Sequence, residues 1–492
     1  MASIALYMPA AILACLILRW SFKAINWLWL KPRRLETCLR QQGFKGNSYR
    51  FLYGDTKDNL KMIQEASSKP IHLSDDIVGS IPISVYAVGL SKPPLNPLAA
   101  LLAKGLASYE GDKWAKHRKL INPAFHSEKL KVSDNMLLRY LFQRYEELDG
   151  TNMMPAFHHS TNEMVCKWEK LALASANRSC ELDVWQDLQT MTRDAISRTA
   201  FGSSYEEGKR IFELQRELTG LVVQASLSVY VPGWRFETTK MNQRMKALYR
   251  EIKASLRVII KKKEEALEKG KNAPSDLLGM LLESNLNATE EHKNKRDFGM
   301  SLDEVIEECK LFYFAGQETT SAMLQKRARD EVLQVFGNEN PNLDGLNHLK
   351  TVTMILQEAL RLYPPATVVN RTTHKEEVLG NLTLPAGVLV TVPILSIQRD
   401  PQLWGEDAHE FKPDRFSEGV SNATKGQVRF IPFIWGPRIC IGQNFALLEG
   451  KMAMPLVLQR FSFELSPSYT HAPYSRISLQ PQHGANLILH KL

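Results

Sequence analysis

Paired cysteines, zinc-finger spacings and internal repeats are all absent from this sequence. Its 492 residues include six cysteines, and no two of them form a Cys-x-x-Cys pair. A chain of this length buries a large core without covalent staples, so we expect reduced thiols in a cytosolic compartment. The cysteines are Cys15, Cys38, Cys166, Cys180, Cys309 and Cys440.

Basic runs interleaved with aromatic residues are also absent, although the net charge is +9. Nucleic acid is therefore the weakest of three explanations for that charge, and we expect no nucleic-acid partner. The other two explanations are anionic lipid and an acidic protein.

Charge is missing from residues 2–18, an apolar stretch at the short end of the range for a membrane span. Basic residues lie only on its carboxyl side, which places the rest of the chain in the cytosol. A cleaved signal peptide is the alternative, but no basic segment precedes the apolar run and no small-residue cleavage site is clear. We therefore predict a membrane anchor and basic hinge over residues 1–34, followed by one domain over residues 35–492.

The rest of the chain is predicted to be mainly α with minor β structure. Ser301 and Glu304 form the Ser-x-x-Glu capping box that starts a helix. A second helix, over about 346–362, must end before Pro364 because proline cannot continue it. Short runs rich in valine, leucine and threonine after residue 376 indicate small β elements.

One cysteine lies in an unusual stretch, "FIWGPRICIGQNFALLEGK". Most lone cysteines pack as small hydrophobic side chains. Around Cys440, however, Gly436 and Gly442 allow a tight turn and a close approach to something flat. A helix is predicted to begin just after Gly442, and its amino end favours thiolate over thiol. Arg438 adds a positive charge that is suited to pair with a carboxylate on a bound cofactor. A thiolate held in this way is either a metal ligand or a nucleophile.

Five residues here, Phe433, Gly436, Arg438, Cys440 and Gly442, match the pattern Phe-x-x-Gly-x-Arg-x-Cys-x-Gly. The pattern resembles the haem-binding loop of the cytochrome P-450 monooxygenases. That resemblance implies the helix-rich cytochrome P-450 fold and haem b (iron protoporphyrin IX) as cofactor. It also implies that Cys440 is the axial iron ligand and that the other four residues form the loop that binds the cofactor.

A second pattern, Glu358-Ala-Leu-Arg361, taken alone predicts an ion pair on a helix surface. It is similar to the family's Glu-x-x-Arg helix, in which the pair joins a later arginine and braces the core beside the haem. The resemblance makes Arg415, in "FKPDRF", the candidate for that arginine.

Three more residues are assigned by resemblance alone. Trp114 and Arg118, in "WAKHRK", resemble the helix that holds a haem propionate, and Arg371, in "VVNRTT", resembles another propionate ligand. Without the resemblance they are an ordinary aromatic residue and two ordinary cations.

The segment "AGQETT", residues 315–320, resembles the distal helix that crosses the haem. Gly316 inside a helix costs roughly 1 kcal/mol relative to alanine, so its place there needs a reason. The resemblance implies that Ala315 and Gly316 leave a groove for dioxygen and that Glu318 and Thr319 deliver protons. A carboxylate that feeds a water chain held by a hydroxyl is chemically suited to that task.

The likeness extends over most of the chain. Segments such as "YVPGWRF" and "RLYPPA" are similar to the plant group that includes secologanin synthase, whose members oxidise terpenoids and related hormones. Two places depart from the family: the stretch between Asp76 and Leu95 is short, and Leu324 passes directly into a charged helix. Both look like in-frame losses, one of part of the amino-terminal sheet and one of the end of the distal helix. A further departure is Ile434, where many members have glycine.

The resemblance implies a monooxygenase on the endoplasmic reticulum membrane, with a single amino-terminal span and a catalytic domain that faces the cytosol. It would insert one atom of dioxygen into a C–H bond of an apolar small molecule, a terpenoid or a related plant hormone. The electrons would come from NADPH through a flavoprotein reductase. One alternative is an inactive or misfolded variant that retains the haem motifs. Another is a haem-thiolate isomerase or dehydratase, whose chemistry needs no proton relay.

Overall fold

Helices dominate the structure, a computed structural model, and its strands are short. The described residues are 2–44, 48–50, 61, 101–102, 104–125, 153–203, 205–226, 239–268, 276–279, 281–282, 300–315, 325–373, 375–475 and 478–492. The helices are α1 (Ala2–Ile25), α2 (Lys31–Gln41), α3 (Gly111–Ile121), α4 (Met154–Leu173), α5 (Val184–Phe201), α6 (Tyr205–Ser226), α7 (Lys240–Glu268), α8 (Leu302–Ala315), α9 (Gln325–Phe336), α10 (Leu343–His348), α11 (Lys350–Leu362), α12 (Ile394–Arg399), α13 (Pro401–Trp404), α14 (Gly419–Ala423) and α15 (Gln443–Leu458). The strands are β1 (Ser179–Asp183), β2 (Val369–Thr372), β3 (Glu377–Leu379), β4 (Leu382–Leu384), β5 (Leu389–Val392), β6 (Phe461–Leu465), β7 (Pro473–Ser475), β8 (Leu479–Pro481) and β9 (Asn486–Lys491).

All strand pairings among the described residues are antiparallel. One sheet has three strands in the order β1-β9-β6, and three hairpin-like pairs join β2 with β5, β3 with β4, and β7 with β8. The prediction of a mainly α fold with minor β structure is confirmed, and so is the prediction of β elements after residue 376.

The amino-terminal helices are continuous through a π-helical turn, Asn26–Leu30. From Ile12 to Gln41 this helix is long and apolar enough to cross a membrane, and a signal sequence has the same two properties. Apolar side chains of α2, including Leu35 and Leu39, pack with Leu384 beside the β3–β4 pair. These contacts join α2 to the β3–β4 pair.

The main core lies between helices that are distant in sequence. Its buried side chains come from α5, α6, α7, α8, α11 and α15, and apolar burial at about 25 cal/mol per Å² is what holds these helices together. The helix α8 begins with the predicted capping box: the Ser301 N–H donates to Glu304 Oε2 at 2.9 Å, and the Glu304 N–H donates to Ser301 Oγ at 3.3 Å. This core places α8 and α15 on the two sides of the cavity described below.

The helix predicted over 346–362 is in fact two helices. Leu349, with ψ of 86°, interrupts the helical backbone between α10 and α11. The carboxyl end is as predicted, because α11 ends at Leu362, two residues before Pro364.

Candidate functional site

The Cys440 loop is a tight turn that leads into α15. The Cys440 N–H donates to the Phe433 carbonyl oxygen at 2.9 Å, and the Ile439 N–H donates to the Gly436 carbonyl oxygen at 3.0 Å. Gly436 has a φ of +84°, a conformation that side-chain-bearing residues rarely adopt. The helix begins at Gln443, so the sulfur lies just before its amino end, as the sequence predicts.

Ile434 carries backbone strain in this turn. Its φ is +66°, in the left-handed region, and a β-branched residue there is an outlier that costs about 1–3 kcal/mol. The structure thus shows a conformational cost in the loop that a glycine at this position would not incur.

A cavity of about 1700 Å³ opens at the Cys440 side chain. Gly442 lines it, and a Cβ built on Gly442 would come within 4 Å of a single group, Cys440 Sγ at 3.9 Å. The space beside the sulfur is therefore free on the cavity side. Apolar lining residues from both sides of the cavity include Leu106, Phe125, Ala315, Val369 and Phe445.

Two arginines hold the helix α3 against the Cys440 loop. Arg118 Nη1 donates to the Ile439 carbonyl oxygen at 2.9 Å. Arg438 Nη1 donates to the Tyr109 carbonyl oxygen at 2.8 Å, and its guanidinium carbon lies 4.3 Å from the centroid of the Trp114 ring. Arg438 also forms an ion pair with Glu110. All of these side chains are on or beside the cavity wall.

The third arginine of the predicted site, Arg371, is on β2. It is exposed, lines the same cavity, and donates to the carbonyl oxygen of its neighbour Asn370 at 2.9 Å. The structure thus brings Trp114, Arg118, Arg371 and Arg438 to one cavity with the Cys440 thiol. A haem is a flat macrocycle that carries a metal and carboxylates. The sulfur suits the metal, the apolar wall suits the macrocycle and the three guanidinium groups suit the carboxylates, so these residues fit a haem.

The balance of charges at Cys440 differs from the sequence-based expectation. The surrounding protein atoms exclude water from the Cys440 thiol, and this loss of hydration raises its pKa. The Gly442 N–H and the Arg118 guanidinium lower that pKa by smaller amounts. Burial lowers the pKa of Arg118 in turn, and the nearby Cys440 partly offsets this. The helix end acts in the expected direction, because the Gly442 N–H lowers the thiol pKa, but loss of hydration has the larger effect in the protein alone.

Glu358 and Arg361 form a fully buried ion pair on α11. Arg361 Nε and Nη2 donate to the two carboxylate oxygens of Glu358, both at 2.7 Å, and neither side chain is exposed to solvent. Arg415 Nε lies 3.6 Å from Glu358 Oε1, and the Lys412 N–H donates to the same oxygen at 2.9 Å. The surface ion pair that the spacing alone predicts is not what the structure shows.

Arg361 also fixes the chain that follows α11. Its Nη1 donates to the carbonyl oxygens of Gln398 at 2.8 Å and Ala408 at 2.7 Å, and Nη2 donates to that of Glu410 at 3.0 Å. Arg415 Nη2 donates to the Asp407 carbonyl oxygen at 2.9 Å. The three charged residues therefore connect α11 to the segment that leads to the Cys440 loop.

The predicted proton-delivery residues, Glu318 and Thr319, lie outside the described residues. The last described residue of α8, Ala315, is half of the predicted oxygen groove and lines the cavity.

Two buried acids were missed by sequence reasoning. Glu449, on α15, is 8% exposed, and its Oε1 has no hydrogen-bond partner within the described parts of the chain. Burial raises the pKa of its carboxyl to about 8. The available signal was its place four residues after Phe445, on the apolar face of the helix. The other acid, Glu308, is buried on α8, and its contacts are described below.

Comparison with known proteins identifies the family. The model of the Cytochrome P450 family matches residues 91–487. The cytochrome P450 CYP72A219 of Panax ginseng is 51% identical over 98% of both chains, and the 7-deoxyloganic acid hydroxylase of Catharanthus roseus is 46% identical over 97% of both. A solved structure of cyanobacterial CYP120A1 with retinoic acid is similar in fold, with a TM-score of 0.63 and 23% identity over 82% of this chain and 84% of that chain.

The alignment with the Panax ginseng protein is longer than this chain. It covers 530 positions, and 492 residues can fill at most 492 of them, so at least 38 positions have no residue here. At those positions the relative has residues that this chain lacks.

The family found by the sequence comparisons is consistent with the geometry of the site, which has a sulfur at the start of α15, a cavity beside it and arginines around it. The family uses a haem iron cofactor, and one relative is named as a hydroxylase. This chain is a member of the cytochrome P450 family of monooxygenases, in the plant group similar to secologanin synthase.

Proposed function

We propose that this chain inserts one atom of dioxygen into a C–H bond of a terpenoid or a related plant hormone. The single observation that carries the proposal is the cavity of about 1700 Å³ that opens at Cys440 Sγ. This volume exceeds the roughly 300–1000 Å³ of a typical small-ligand pocket, so a cofactor and an apolar substrate have room together. A relative named 7-deoxyloganic acid hydroxylase supports this substrate class.

In this proposal each residue of the site has a defined task. Haem b, when bound, would supply the oxygen activation, and Cys440 would hold its iron. Arg118, Arg371, Arg438 and Trp114 hold its propionates, because guanidinium groups pair with carboxylates in a bidentate geometry. Gly436 and Gly442 keep the loop clear of the cofactor, and Phe433 lines the cavity beside it. The apolar wall excludes water, and Glu318 with Thr319 passes protons to the distal side.

The electron donor in this proposal is an NADPH-dependent flavoprotein reductase on the endoplasmic reticulum membrane. The apolar helix from Ile12 to Gln41 supports anchoring, and the net charge of +9 supports an acidic partner in the cytosol.

A second candidate, an inactive chain that retains the haem motifs, is favoured by one observation. The cavity extends from Cys440 to Trp168 on α4, Met191 on α5 and Glu449 on α15, so these helices leave space between them. A shortened distal helix would leave such a space, and at least 38 positions are absent relative to the Panax ginseng protein.

Reconstitution of the full chain with a plant flavoprotein reductase in lipid vesicles tests the proposal. With NADPH, ¹⁸O-labelled dioxygen and 7-deoxyloganic acid or a panel of terpenoids, we expect a product that carries one labelled oxygen atom. A Thr319→Ala variant should continue to consume NADPH but divert it to hydrogen peroxide, because the proton relay is broken.

Haem-loaded protein that is reduced but oxidises no member of the panel would favour the inactive chain. Unchanged coupling of NADPH to product in the Thr319→Ala variant would remove Thr319 from the mechanism.

A further inference from the structure

Glu308 is a buried carboxylate on α8 that holds two separate segments of the chain. Its side chain has no solvent exposure. Oε1 lies 2.7 Å from His117 Nδ1 on α3, and Oε2 accepts a hydrogen bond from the Leu106 N–H at 3.0 Å. The contact between Oε1 and His117 Nδ1 is a hydrogen bond in which one of the two atoms carries the proton.

The Leu106 turn is shaped to this carboxylate. Gly105 has a φ of +69°, and a Cβ built on it would lie 2.6 Å from Glu308 Oε2. Only glycine therefore lets the backbone approach so closely, and it does so in a conformation that side-chain-bearing residues avoid. The close fit between Gly105 and the Glu308 carboxylate therefore fixes the turn in one position.

Both segments that Glu308 holds contribute to the site. Leu106 lines the cavity, and α3 carries Trp114 and Arg118. Arg118 in turn donates to the Ile439 carbonyl oxygen, next to Cys440. The distal helix is thus linked to the Cys440 loop through Glu308, His117 and α3.

We propose that Glu308 is a positioning residue of the monooxygenase: it places Leu106 on the cavity wall and sets α3 against the Cys440 loop. Burial of a carboxylate has a desolvation cost in free energy that an apolar residue of similar size does not have. Its two hydrogen bonds explain its presence here. The inference rests on the family activity and not on the substrate class proposed above.

Three variants of the full chain test this role. Glu308→Ala removes both contacts. Glu308→Gln keeps them, because its amide oxygen accepts from the Leu106 N–H and its amide nitrogen donates to His117 Nδ1 in the tautomer that is protonated on Nε2. Glu304→Gln is the control: Glu304 lies one turn earlier on α8, pairs with Lys113 of α3 at 2.6 Å and lies 3.7 Å from His117 Nε2, but makes no hydrogen bond to Leu106 in the described chain.

Two measurements report on position rather than on turnover. The first is hydrogen–deuterium exchange of peptides that contain Leu106, in the protein without added ligand. The second is the affinity of the haem-loaded protein for 4-phenylimidazole, measured by its difference spectrum. We expect Glu308→Ala to lose roughly tenfold in Leu106 protection and in affinity, since a buried donor is left unsatisfied. Glu308→Gln and Glu304→Gln should remain within threefold of the original protein.

The proposal would be overturned if Glu308→Ala kept the exchange protection of Leu106, or the affinity for 4-phenylimidazole, of the original protein. It would also be overturned if Glu308→Gln lost as much of either quantity as Glu308→Ala. If Glu308→Ala does not fold, Gly105→Ala provides the same test from the other side, because its Cβ displaces the turn while leaving the charge unchanged. The same roughly tenfold losses are then expected, and their absence would contradict the proposal.

Discussion

A Glu358→Ala variant is expected to lose about 3–5 kcal/mol of folding free energy and to be recovered without haem. The reason is that Arg361 would remain in the core with no carboxylate, since Glu358 accepts two hydrogen bonds from it at 2.7 Å and neither side chain is exposed. The segment that leads to the Cys440 loop would also lose the acceptor of the Lys412 N–H. Denaturant unfolding and the haem content of purified protein measure the two effects.

The matched control is Asp414→Ala. Asp414 accepts two hydrogen bonds from Arg327, at 2.9 and 3.0 Å, but both side chains are about half exposed. An exposed pair is worth at most about 1 kcal/mol, so this variant should keep its haem. Equal losses of folding free energy and of haem in Glu358→Ala and Asp414→Ala would show that burial does not decide the role of Glu358.

A Glu449→Gln variant should be more stable than the original chain by about 3 kcal/mol at pH 7. In the unfolded chain this carboxyl ionises near its ordinary pKa of 4.5, whereas burial in the folded chain raises its pKa to about 8. Between these values the unfolded state binds fewer protons, so stability falls as the pH rises, and the loss is complete above about pH 8. The glutamine cannot ionise and avoids this loss.

Unfolding measured between pH 4.5 and pH 8.5 tests this prediction. The original chain should lose stability across that range relative to Glu449→Gln, and the two should converge at the acid end. Glu464→Gln is the control, because Glu464 is 64% exposed. A constant difference between Glu449→Gln and the original chain at every pH would show that ionisation of Glu449 is not its cause.

Local patterns predicted the local structure well. The Ser301–Glu304 capping box, the end of α11 before Pro364 and the start of α15 depend on residues within a few positions of one another. The helix over 346–362 was only partly predicted, because the break at Leu349 has no glycine or proline to mark it.

Contacts between distant residues could not be predicted in the same way. Glu308 and His117 are 191 positions apart, and nothing in either local sequence pairs them. The Glu358 pair looks like a surface pair by its spacing, and the backbone carbonyls that bury Arg361 come from residues 398–410. At Cys440 the sequence indicated the helix end but not the crowding that raises the thiol pKa.

The most direct test of the account is the absorption spectrum of the reduced protein with carbon monoxide, compared between the original chain and Cys440→Ser. We expect the original chain to give the thiolate-type band of the P450 family, and Cys440→Ser to lose it. Cys166→Ser is the control and should keep the band, since Cys166 lies on α4, outside the cavity lining. An unaltered band in Cys440→Ser, at equal haem content, would contradict the assignment of this sulfur as the iron ligand.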